Sequence, residues 1–123
     1  MKRPSNKELF GKLRDAKAAV RNGNVLLIDP DVIAEDAIEL GYDIGSEVLE
    51  VLMEFLEETS LIHYAGFRPP QRSYKKEIEG LELFPFAGES SRFKCRVYLK
   101  FAISRGSFWL VSLHRDRPVK ESS

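Results

Sequence analysis

The sequence predicts an α+β fold: a single twisted antiparallel sheet with N-terminal helices packed on one face, in one domain over residues 1–123. Three observations carry this. Residues 5–57 hold successive helix start and stop signals around apolar stripes. Residues 92–116 alternate polar and apolar as a β-hairpin does. The 43% hydrophobic and 31% charged content is that of a globular domain able to bury a core without staples.

Ser5 followed by Glu8 is a capping box, so the first helix is expected over Asn6–Arg21, stopping near Gly23. Its apolar stripe is Leu9, Phe10, Leu13, Ala16 and Val20, while Lys7, Arg14, Lys17 and Arg21 form a basic ridge. Asn24–Ile28 is short, apolar and bounded by Gly23-Asn24 and Asp29-Pro30, which predicts a strand. Two helices follow, Val32–Leu40 and Glu47–Glu57, separated by Gly41, with Ser46 as the N-cap of the second. In that second helix Val48, Leu49, Leu52, Phe55 and Leu56 face inward, and Glu47, Glu50, Glu54, Glu57 and Glu58 face out. Such a helix, without Lys or Arg, is repelled by phosphate, which excludes DNA readout through this helix pair. Ser60–Tyr64 reads as a short strand and residues 66–73 as a loop. Leu81–Phe86 reads as a strand pairing with the Phe93 arm across Ala87–Ser91, which completes a three-stranded meander. Residues 1–4 and 117–123 are expected to fray.

Register decides what the closing hairpin presents. A two-residue turn at Arg105-Gly106 sets Lys100 opposite Val111 and Tyr98 opposite Leu113, mixing charge into the apolar face. A loop of odd length pairs Ile103 with Trp109, Phe101 with Val111 and Leu99 with Leu113 on one face. It then pairs Lys100 with Ser112, Tyr98 with His114 and Arg96 with Asp116 on the other. The expectation is a core face and an open, cationic, titratable face.

The formal net charge is zero, but the charges are partitioned. Residues 1–28 hold seven Lys/Arg and two Asp/Glu, residues 29–58 none and eleven, and residues 59–123 twelve and six. Carboxylates without a cation in their own segment repel one another, so a basic partner or added salt is expected to relieve them. A single cysteine excludes an internal disulfide, and the N-terminus lacks an apolar secretory stretch, so a cytoplasmic location without a membrane partner is expected. No His-x-x-x-His, Cys-x-x-Cys or glycine-rich phosphate loop occurs, so neither a metal nor a cofactor is expected.

The open sheet face remains. His114, Tyr98, Lys100 and Arg96 share it, with Arg115 at the rim and Arg68, Arg72, Lys75 and Lys76 available from the preceding loop. These residue types fit RNA cleavage without metal: a base for the 2′-hydroxyl proton, cations for the phosphorane charge, and an acid for the leaving 5′-oxygen. An imidazole, with an ordinary pKa of about 6.5, serves as either acid or base. A tyrosine and a histidine across a hairpin are more often an ordinary surface pair, so spacing alone favours that reading.

Arg96-Val97-Tyr98-Leu99-Lys100-Phe101, a turn, and Leu110-Val111-Ser112-Leu113-His114 together resemble the closing hairpin of the MqsR (motility quorum-sensing regulator) toxins, which read Val-Tyr-Leu-Lys and end in Val-Ser-Phe-Lys. Ala37-Ile38-Glu39-Leu40-Gly41-Tyr42-Asp43 is similar to the family's Ala-x-Glu-Leu-Gly-Leu-Asp. Leu56–His63 sits where that family has Leu-Ser-Glu-Ser-Asp-Phe-Tyr-Lys, and the end of the opening helix is also similar. The resemblance implies a RelE/MqsR-like fold and the toxin of a type II toxin–antitoxin pair, a metal-independent mRNA endoribonuclease (mRNA interferase). RNA and a cognate antitoxin are the partners it implies, with the ribosome a third candidate. Tyr98 and Lys100 carry over unchanged, while two family lysines align with His63 and His114. The resulting expectation is catalysis by His114, Tyr98 and His63, with Lys100, Arg96, Arg115, Arg72 and Lys75 on phosphate. The alternative is a module of the same fold without catalysis, binding RNA on the open face or docking a basic protein on its acidic helices.

Overall fold

The computed structural model describes residues 5–66 and 71–116; Arg68 and the two chain ends expected to fray lie outside the described residues. Helix α1 (Asn6–Arg21) is followed by strand β1 (Val25–Leu27), helices α2 (Pro30–Leu40) and α3 (Val48–Glu57), and strands β2 (Phe84–Ser90), β3 (Cys95–Ser104) and β4 (Ser107–Arg115). Single 3-10 turns occur at Leu61–His63 and Lys76–Ile78. The fold is α+β with a four-stranded sheet ordered β1-β4-β3-β2. Among the described residues no helix is long and apolar enough to cross a membrane.

Helix α1 begins and ends as its sequence dictates. The Ser5 hydroxyl accepts the Glu8 N–H at 3.0 Å. At the other end the Asn24 and Gly23 N–H groups donate back to Ala19 and Val20, a Schellman closure that requires the positive φ of Gly23, 76°. Leu9, Leu13, Ala16, Ala19 and Val20 are buried, but Phe10 is 63% exposed. The start of α3 differs from expectation. Ser46 is not its N-cap; Ser46 donates to the Asp43 carboxylate, and the Glu47 carboxylate returns to the Asp43 N–H at 2.7 Å, a box one turn earlier. Within α3, Val51 takes an inward position and Leu49 is exposed.

The sheet is mixed, not wholly antiparallel, because β1 runs parallel to β4. Val25 and Leu27 face the helices and Leu26 the other side whichever way the strand runs, so its apolar pattern leaves its direction open. Two other strand expectations fail. Ser60–Tyr64 forms a 3-10 turn with a capping box, and among these residues Tyr64 alone forms a β-bridge to the sheet, with Phe86. The strand expected at Leu81–Phe86 starts at Phe84 and runs to Ser90, so the turn falls at residues 91–94, where Lys94 adopts φ 57°.

The closing hairpin combines two registers. Arg105 (φ 54°) and Gly106 (φ 79°) form the two-residue turn that the twist of paired strands favours, and it pairs Ser104 with Ser107, Ile103 with Phe108, Ala102 with Trp109 and Phe101 with Leu110. A bulge between Lys100 and Phe101 then restores the expected pairs: Leu99 with Leu113, Tyr98 with His114 and Lys100 with Ser112. The bulge reconciles the turn chemistry with a clean core face. The expected pairs Ile103–Trp109 and Phe101–Val111 are absent, and Trp109 lies on the face away from the helices.

All three helices cover one face. Ile33, Ala37, Val51, Leu52 and Phe55 pack with Val97, Leu99, Phe101 and Leu113 in one core cluster. The carboxylate-rich segment 29–58 therefore lies on the side of the sheet away from Tyr98 and His114. It does not lack a cation: Arg92, in the β2–β3 turn, reaches Glu47 at 2.8 Å, Glu50 at 3.4 Å and Glu54 at 3.1 Å. Arg92→Ala is expected to lower the unfolding free energy by about 1–2 kcal/mol, as the loss of a small ion-pair network should. Thermal melts at low and moderate salt check it: the variant should gain stability with salt more steeply than the wild type.

Tyr42, 6% exposed, has no hydroxyl partner among the described residues. Its pKa rises from 10.0 to about 12 through burial first and Asp36 second. The folded state thus holds this proton longer than the unfolded chain, so the stability contributed is complete below pH 10 and is lost as pH climbs through about 12. Denaturant unfolding near pH 12 should show the wild type losing about 2 kcal/mol more than Tyr42→Phe, relative to neutral pH.

Candidate functional site

The face away from the helices divides into two halves. Toward the hairpin tip it is covered: Ile78, from the segment after Lys75, packs with Ile28, Leu83 and Ala102 in a second cluster that Trp109 and Val111 join. The Lys75 ammonium anchors that strap to Asp29 at 2.7 Å. The Arg72 guanidinium donates to the Gly80 carbonyl at 2.8 Å, and the Arg72 backbone forms an antiparallel β-bridge with Glu82 in the same strap. Arg72 and Lys75 are therefore engaged within the strap and at its anchor to Asp29.

The other half presents three cross-strand rows drawn from β2, β3 and β4. They are Pro85–Lys100–Ser112, Ala87–Tyr98–His114, and Glu89–Arg96 with Asp116 closing the last row. Successive rows along a strand lie about 7 Å apart, a phosphate-to-phosphate scale that lets one nucleotide step touch two of them. Tyr98 and His114 stack with ring centroids 5.2 Å apart and planes at 20°.

His114 has a defined proton arrangement. Its Nδ1 lies 2.8 Å from the Arg115 carbonyl oxygen. That oxygen only accepts, so Nδ1 carries the hydrogen, and in the neutral ring Nε2 is then the nitrogen with the lone pair. The Tyr98 hydroxyl stays protonated further into alkali than usual, because burial raises its pKa, with smaller contributions from Asp116 and Tyr64. Burial lowers the Lys100 pKa, which marks a cation partly stripped of water with no anion to compensate. Arg96 is already engaged, its Nε 2.9 Å from the Asp116 carboxylate. Arg115 pairs with Val97, so it projects from the helix-covered side and leaves only its carbonyl to the site.

His63 is not part of this constellation. Its Nδ1 accepts the Ser60 N–H at 2.9 Å, completing the capping box of the 3-10 turn. Its ring lies over the backbone of Gly88, where a Cβ would come within 3.1 Å of the imidazole. Gly88 pairs with Val97, a core-facing position, so His63 and His114 occupy opposite faces of the sheet. The Ser-x-x-His spacing at Ser60 carried the capping signal in the sequence. Sequence reasoning placed Ser112 opposite Lys100 but did not single out Glu89 or Ala87 as site neighbours, because which residues of β2 oppose Arg96 and Tyr98 depends on where its turn falls. Among the described residues no group of three or more His, Cys, Asp or Glu side chains is placed to hold a metal ion. The arrangement offers one imidazole base, one phenolic proton donor and one partly desolvated ammonium on a half-buried surface. No family model matches the chain, and no curated protein is significantly similar to it.

Proposed function

We propose that the Tyr98–His114–Lys100 surface binds single-stranded RNA and cleaves it without a metal ion. The observation that carries this is the His114 Nδ1 contact with the Arg115 carbonyl, which turns Nε2 outward beside a phenol and a partly desolvated ammonium. In the step proposed, His114 Nε2 takes the 2′-hydroxyl proton as the 2′-oxygen bonds to phosphorus. The bond from phosphorus to the 5′-oxygen breaks, and the Tyr98 hydroxyl gives that oxygen its proton. The Lys100 ammonium stabilises the charge on the phosphorane. The products are a 2′,3′-cyclic phosphate and a 5′-hydroxyl, and the proton then returns from His114 to the Tyr98 oxygen through water. The likeness of this hairpin to the MqsR toxins supports placing the activity in an mRNA-cleaving toxin with a cognate antitoxin, acting in the cytoplasm.

With His63 removed from the site, the pH profile changes shape. A pair of histidines would give a bell centred near neutrality, whereas a single histidine base with a tyrosine acid gives no fall there. The fall comes in alkali, from Lys100 losing its charge below its ordinary 10.5. A second reading, RNA binding without cleavage, is favoured by the Arg96–Asp116 pair, which leaves Lys100 as the cation of the site. The test is incubation of purified protein with a mixed-sequence RNA, with and without chelator and ribosomes, followed by end-group analysis. Cyclic phosphate ends formed despite the chelator are expected; intact RNA that is nevertheless bound would move the assignment to the second reading.

A further inference from the structure

A groove of about 390 Å³ runs along α1 on the opposite side of the molecule from His114, between that helix and the Leu61–His63 turn. Leu13 and Leu61 form its floor, and Phe10 stands at its edge. Arg14, Lys17 and Arg21, at successive helical turns, make its wall, and no carboxylate lines it. The Asp15 carboxylate touches the Arg14 guanidinium only at 3.5 Å, so the wall is scarcely neutralised. Phe10 is 63% exposed, and Ile62, next in the chain to the lining Leu61, is 87% exposed, so both leave large apolar surface in water.

We propose that this groove docks an acidic amphipathic segment of a partner protein. An apolar side chain of that segment fills the space over Leu13 and Leu61 against Phe10, and its carboxylates pair with Arg14, Lys17 and Arg21. Charge complementarity selects the partner: three cations on one helix face call for carboxylates at matching helical spacing. The apolar floor disfavours a nucleic-acid backbone, which brings charge but no aliphatic side chain. Docking here leaves the Tyr98–His114 face uncovered, so this surface and the cleavage site are independent.

The test uses the full chain and a fluorescent amphipathic peptide with leucine at positions i, i+3, i+4 and i+7 and glutamate elsewhere, read by anisotropy. Saturable micromolar binding is expected, weakened at least about tenfold by Lys17→Glu together with Arg14→Glu and separately by Phe10→Ala. The same peptide with lysine for glutamate should not bind. RNA cleavage by these variants is measured in parallel and should be unchanged, so failure of either proposal is seen separately. Equal binding of the two peptides, or insensitivity to the α1 substitutions, would overturn the assignment. Concentration-dependent self-association abolished by those substitutions would assign the groove to a second copy, and competition of RNA for the peptide would assign it to nucleic acid; either overturns the proposal.

Discussion

His114→Ala is expected to slow RNA cleavage by about 10²- to 10⁴-fold, the range general-base catalysis contributes, while the protein keeps its fold. The side chain stacks on Tyr98 at the open face and reaches the Arg115 carbonyl, but fills no space in either core cluster. Its removal should change the unfolding free energy by no more than about 1 kcal/mol. Two companions separate its roles. Tyr98→Phe keeps the stack and loses only the proton donor, so it should retain RNA affinity and lose rate. His114→Lys places the residue of the resembling toxins there; it restores a phosphate cation and should bind RNA at least as well as the wild type. Single-turnover rates and melting curves of the three variants check this together, and undiminished cleavage by His114→Ala would remove the assigned role.

Phe101→Ala is the substitution expected to cost most stability, about 3–5 kcal/mol. Phe101 is fully buried and lies at the centre of the aromatic core, with Phe108 at 4.8 Å, Phe86 at 5.9 Å and Phe84 at 6.1 Å between ring centroids. Such a loss is a large share of the roughly 5–15 kcal/mol typical of a domain. Phe101 also flanks the bulge, so a cavity there frees β4 to slip toward the unbulged register that pairs Lys100 with Val111. Chemical denaturation checks the stability, and activity should fall with the folded fraction. Phe101→Leu, which keeps most of the volume, should lose much less.

The helices were legible because their signals are local. Ser5, Gly23 and Gly41 act within one turn, and α1 has the ends its caps dictate, whereas α2 starts at Pro30, two residues before the expected Val32. Half of the hairpin was legible for a related reason: alternation through Tyr98 and Lys100 leaves one register that keeps charge off the core face. The tip was not, because both candidate turns were treated as fixing the whole hairpin, whereas one bulge lets a two-residue turn and the distant pairing coexist. The parallel direction of β1 and the strap over Trp109 depend on contacts distant in sequence, which no local pattern records. Arg92 shows the same limit from the other side, since the cation that relieves α3 comes from more than thirty residues further along. In the candidate site, Tyr98, His114 and Lys100 came together as the alternation required, whereas His63, read as a catalytic equivalent of a family lysine, is tied into a backbone cap.

The most direct measurement is an amide chemical-shift titration of the protein with a short single-stranded RNA carrying 2′-deoxy sugars, which binds without being cleaved. The account predicts shifts concentrated at Tyr98, Lys100, Ser112 and His114 and in β2 at Ala87, with α1 and α3 undisturbed. Shifts centred on Arg14, Lys17 and Arg21, or none at RNA concentrations well above the protein's, would contradict an RNA site on the open half of the sheet.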